Sequence, residues 1–102
     1  RNITSILDLA KFRNIKVILT TQPFSTDPTK PYVEVAPHIE QCNTIMRRVH
    51  ANYRRDALFV DLDEMMTGKM EEVFRDVAHI SWAGIRFKAE QISRVILEDR
   101  ME

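Results

Sequence analysis

The chain has 102 residues, 44% of them hydrophobic and 29% charged, the balance of an ordinary folded domain rather than of a disordered segment. Fifteen Lys and Arg offset fifteen Asp and Glu, so the overall charge points to neither nucleic acid nor an anionic membrane surface as partner. The single cysteine, Cys42, excludes an internal disulfide, and no apolar run approaches the roughly 20 residues of a membrane span.

From Ile3 to Arg13 the apolar residues Ile3, Ile6, Leu7 and Ala10 recur at helical spacing and predict a short amphipathic helix. Ile15 to Thr21 is mostly β-branched and apolar, a run that suits a strand covered on both faces, as in a parallel sheet. Gln22-Pro23 ends it. The stretch from Phe24 to Pro37 carries Pro28, Pro31 and Pro37 and is read as a loop without regular structure. Ile39, Cys42, Ile45, Met46, Val49 and Tyr53 form an apolar stripe on a helix of four to five turns. Arg47, Arg48, Arg54 and Arg55 are read as its solvated basic face. Ala57 to Leu62 predicts a second buried strand, and a short helix is placed around Lys69 to Phe74. Ile85, Ala89, Ile92 and Ile96 describe a closing helix from Ala83 to Glu98, with Ser81 as its N-cap.

Strand, helix and strand in this order make a crossover unit with parallel strands, so the predicted class is α/β with a parallel sheet. Open sheets of this class keep their ligand crevices at the carboxyl ends of the strands, and both long loops leave from there. Asp76 and His79 lie on the second loop, three residues apart and just ahead of a helix. One tight turn brings the carboxylate to the near imidazole nitrogen and leaves the far nitrogen free. That is the orienting and proton-accepting half of a nucleophilic triad. A third residue has to supply the nucleophile.

The run Asp76-Val77-Ala78-His79-Ile80-Ser81-Trp82-Ala83-Gly84 resembles the last block of SGNH (GDSL-type) hydrolases, Asp-x-x-His followed by a capped helix with Gly near its start. The lead-in is similar too: a buried strand ending in Gln22-Pro23, a helix, then a Val-Asp-Leu strand end. The resemblance spans most of the chain. It implies a three-layer α/β/α, flavodoxin-like fold and a serine esterase mechanism that needs neither cofactor nor metal. It further implies Asp76 as orienter and His79 as general base and acid, acting on a carboxylic ester of a small molecule, carbohydrate or lipid. By position, Gln22, Ile80 and Trp82 are expected to border the substrate pocket.

The departures are equally specific. The family's nucleophile lies in a Gly-Asp-Ser block near the N-terminus, and a Gly and an Asn from two intermediate blocks help build its oxyanion hole. Only Gly68 and Gly84 occur here, neither precedes Asp-Ser, and no Gly-x-Asn-Asp exists. With Arg1-Asn2-Ile3 at the start, residues 1–102 are expected to be the C-terminal part of one SGNH domain whose serine-bearing part is missing. Such a piece alone is expected to be inactive, and its open sheet edge to favour weak folding or self-association.

Two other readings compete. Leu58-Phe59-Val60-Asp61-Leu62-Asp63 resembles the first motif of haloacid-dehalogenase-type phosphatases, although Glu64 and Met65 stand where that family has a small residue and then Thr or Val. A non-enzymatic, flavodoxin-like interaction module would use the Pro-rich loop to meet a partner. His38, Cys42 and His50 raise the question of a metal, but no fourth ligand is evident; Cys42 is expected to be buried and both histidines to lie at the surface.

Overall fold

The structure, a computed structural model, describes residues 2–101. Helix α1 (Asn2–Phe12) buries Leu7 and Ala10 and half-buries Ile3, whereas Ile6 lies off this stripe and is exposed. Its end is set by Asn14, whose φ of 60° lets the Asn14 and Ile15 amides turn back to the carbonyls of Lys11 and Ala10. Asn tolerates this left-handed conformation better than most residues, and the paired bonds satisfy carbonyls that a helix end leaves open.

Strand β1 (Val17–Thr20) is shorter than predicted because Ile15 belongs to that closure rather than to the sheet. It pairs in parallel with β2 (Ala57–Val60), Val17 opposite Ala57 and Thr20 opposite Val60. Alternation sends Val17, Leu19, Ala57 and Phe59 to one face, where they meet Ile3 and Leu7 of α1 together with Met46 and Val49 of α2 (Ala36–Asn52). Ile18 and Val60 point to the other face and join a cluster with Leu62, Met66, Val73 and Phe74, completed by Phe87, Ile92 and Val95 of α4 (Trp82–Met101). Helices therefore cover both faces of a two-stranded parallel sheet.

Several expectations need correction. The Pro-rich loop contains a 3₁₀ turn at Val33–Val35, and α2 already begins at Ala36, so Pro37 sits in the helix's first turn. A proline is harmless there because its missing N–H would have had no intrahelical partner. The predicted α2 stripe is only partly right: Cys42 and Ile45 are exposed, and the side chain buried on this helix is the polar Asn43. The chain leaves β2 at Asp61, whose carboxylate accepts the Glu64 amide and caps α3 (Leu62–Met66). The short helix placed around Lys69 to Phe74 is a 3₁₀ turn at Glu71–Val73. On α4 the packed residues are Gly84, Phe87, Ile92 and Val95, while Ile85, Ala89 and Ile96 of the predicted stripe face outward. Among the described residues no helix is long and apolar enough to cross a membrane.

Candidate active site

The segment from Val73 to Ser81 folds back on itself. Phe74 and Ile80 form an antiparallel bridge, the Ser81 amide donates to the Val73 carbonyl at 2.7 Å, and the Arg75 amide to the His79 carbonyl at 2.8 Å. Val73, Phe74 and Val77 anchor the base of the fold in the core. Gly84 closes it, because a Cβ at this position would lie 3.0 Å from Cβ of Ile80 and 3.2 Å from Cβ of Val73. The glycine in the block thus has a packing reason: the first turn of α4 presses directly on the two ends of the turn-bearing segment.

Asp76 uses both carboxylate oxygens. Oδ1 accepts the backbone amides of Ala78 at 2.9 Å and His79 at 2.7 Å, while Oδ2 lies 2.7 Å from Nδ1 of the His79 ring. The His79 and Ala78 amides, followed by the ring, stabilise the charged carboxylate and hold its pKa down at about 2. The Asp76 side chain is only 16% exposed, whereas the His79 ring is 82% exposed. With Nδ1 engaged by the carboxylate, Nε2 is the nitrogen left for a reacting group.

A second loop supports this turn. The Ser25 amide donates to the Val77 carbonyl at 2.9 Å, the Val77 amide to the Pro31 carbonyl at 3.1 Å, and Nζ of Lys30 to the Phe74 carbonyl at 2.7 Å. The loop that leaves the carboxyl end of β1 therefore grips the chain on both sides of Asp76. Its start is fixed by Asn43, which accepts the Gln22 amide and donates to the Gln22 carbonyl, both at 2.7 Å.

At the strand ends, Arg47 donates from Nε and Nη2 to Asp61 at 2.9 and 3.0 Å and from Nη2 to Asp63 at 2.6 Å. The Thr21 hydroxyl donates to Asp61 at 2.6 Å and accepts the Asp63 amide at 2.9 Å. Burial pushes the Asp61 carboxyl up, but the bonds from Arg47 and Thr21 outweigh it and the net shift is downward. Arg47 is thus not part of a solvated basic face. Both aspartates of the phosphatase-like motif are engaged in this network, Asp61 additionally as the α3 cap.

Gln22 is exposed and lines a cavity of about 340 Å³ with Thr20, Thr21, Cys42, Asn43, Met46 and Lys88. Neither Ile80 nor Trp82 lines that cavity. Ile80 is half-buried against the α4-side cluster, and Trp82 stands 72% exposed beside the site at the start of α4. Cys42 and His38 are exposed, and His50, expected at the surface, is half-buried and stacked on Phe59 with ring centres 4.4 Å apart. Among the described residues no group of three or more His, Cys, Asp or Glu side chains is arranged to hold a metal ion. Sequence reasoning missed Ser25, Lys30, Asn43 and Glu71. Of these only Asn43 left a signal, a polar residue at a helix position flanked by Cys42 and Met46 of the apolar stripe.

No family model matches the chain, and neither a curated protein nor a solved structure matches it.

Proposed function

We propose that this chain carries the Asp–His half of the catalytic triad of an SGNH-type serine ester hydrolase acting on carboxylic esters such as acetyl or acyl esters. The observation that carries the reading is the Asp76 carboxylate, which binds the ring and the backbone amide of His79 at the same time. Asp76 fixes the ring's tautomer and orientation. Nε2 of His79 takes the proton of a serine hydroxyl as its oxygen attacks the ester carbonyl, and Asp76 stabilises the imidazolium so formed. Collapse of the tetrahedral intermediate expels the alkoxide, which takes the proton from Nε2; water then repeats the sequence on the acyl-enzyme. The serine and the oxyanion donors come from outside residues 1–102, whose sequence holds no Gly-Asp-Ser and no Gly-x-Asn-Asp.

Helices on both faces of a parallel strand pair support the three-layer α/β/α arrangement that this reading requires. The engagement of Asp61 and Asp63 by Arg47 speaks against the phosphatase reading, in which the first aspartate has to attack phosphorus. The test is to treat the full-length protein with a fluorophosphonate and map the adduct. Labelling of one serine outside these residues, lost in His79→Ala, is the expected result. Absence of labelling in a folded, wild-type protein overturns the proposal.

A further inference from the structure

The turn that holds His79 is built locally and anchored in the core through Val73, Phe74 and Val77, and the loop from Ser25 to Pro31 grips it from one side, with one carboxylate gathering the start of that loop. Glu71 accepts the Ser25 hydroxyl and the Asp27 amide, the latter at 3.3 Å, on Oε1, and the Thr26 amide at 3.3 Å on Oε2. Ser25 is completely buried, so its hydroxyl has no solvent to fall back on if that acceptor is removed. The same residue's amide holds the Val77 carbonyl, next to Asp76 in the chain. We propose that Glu71 is a positioning residue for the Asp76–His79 pair, acting through the Ser25–Pro31 loop; this rests on the triad reading of that pair.

Glu71 does its work at a distance from the reacting atoms. Both its oxygens face the loop, and three donors in a row, at residues 25, 26 and 27, converge on them. Without that acceptor residues 25, 26 and 27 lose a shared partner, and the Ser25–Val77 and Pro31–Val77 bonds shift with them. Asp76 lies between the two gripped points, Phe74 and Val77, so any shift is passed to its carboxylate. A displacement near 1 Å at a catalytic group costs about 100-fold in rate. Lys30 is an independent second strut, reaching the Phe74 carbonyl from the same loop without involving Glu71. Glutamine in place of Glu71 keeps one acceptor oxygen but sets an amide group against a backbone N–H, so its effect is intermediate.

The experiment uses the full-length protein with p-nitrophenyl acetate, and reads amide hydrogen exchange at Ala78 and His79 alongside kcat and KM. Glu71→Ala and Lys30→Met are expected to lower kcat about 10- to 100-fold with KM unchanged. Both should also speed exchange at those two amides, with Glu71→Gln between them and wild type. Val49→Ala, on the opposite face of the sheet, is the control for lost stability and leaves kcat and exchange at the turn as in wild type. Unchanged exchange in Glu71→Ala overturns the proposal whatever Lys30→Met shows, as does an equal kcat loss in Val49→Ala. If the wild type hydrolyses no ester, the triad reading alone fails and the exchange data still decide the positioning role.

Discussion

One carboxylate fixes His79 twice: Oδ1 of Asp76 holds its backbone amide and Oδ2 holds its ring, each at 2.7 Å. Asparagine cannot reproduce this, because one of its two terminal atoms is a donor and would face either an N–H or the wrong ring tautomer. On the proposed triad role, Asp76→Asn is therefore expected to cost up to about 10⁴-fold in kcat for ester hydrolysis by the full-length protein, with KM little changed. Steady-state rates on p-nitrophenyl acetate check this, and a loss confined to KM would place Asp76 in binding rather than in orientation.

Gly84→Ala sets a methyl against two β-branched side chains, Val73 and Ile80. The contacts at 3.0 and 3.2 Å are with Cβ atoms, not with flexible chain ends. Overpacking of this kind costs about 1–3 kcal/mol, against a gain of at most about 1 kcal/mol from better helix propensity. A net destabilisation near 1 kcal/mol is expected in denaturant unfolding; a stabilised variant would show that Val73 and Ile80 can yield.

Arg47→Met removes the only described cation bound to Asp61 and Asp63, whose side chains are 24% and 13% exposed. Leaving two largely covered carboxylates without it should cost about 1–3 kcal/mol at neutral pH, discounted because the Arg47 side chain is itself 37% exposed. The Asp61 pKa is lowered in the folded state, so its contribution is present above the ordinary carboxylate value and is lost as pH falls through the folded one. The stability gap between variant and wild type should accordingly narrow below about pH 4. A gap independent of pH would assign the role of Arg47 to packing.

The fold was legible where the signal is local. Runs such as Val17 to Leu19 and Ala57 to Val60 announce strands, and the periodic segments announce helices. Which face a helix buries was less legible. On α4 the stripe Ile85-Ala89-Ile92-Ile96 overlaps a second apolar row, Phe87-Ile92-Val95, and it is the second that packs, on the side where Gly84 approaches Val73 and Ile80. On α2 a buried position goes to Asn43, because the Gln22 backbone needs a partner there more than the core needs another methyl group. The same division holds at the site. Asp76 and His79 were readable because their contact spans three residues, whereas Ser25 and Glu71 meet across 46 residues and nothing in their spacing announces it.

His50 offers a pH test of the sheet's other face. Its ring stacks on Phe59, and burial, with the nearby Arg54 charge second, lowers its pKa from the ordinary 6.5. The unfolded chain therefore binds this proton more readily, so the stability associated with neutral His50 is complete above pH 6.5 and is lost as pH falls through the folded value. Thermal melts of wild type and His50→Gln between about pH 5 and 8 should diverge in slope, with wild type losing more on acidification. Parallel slopes would mean that the ring protonates freely where it stands.

The most direct measurement is the rate of p-nitrophenyl acetate hydrolysis by the full-length protein, wild type against His79→Ala. If Asp76 and His79 serve a triad, the substitution removes the general base and lowers the rate by several orders of magnitude, while the melting temperature stays close to wild type because the ring is 82% exposed. Equal rates in the two proteins, both folded, would contradict it.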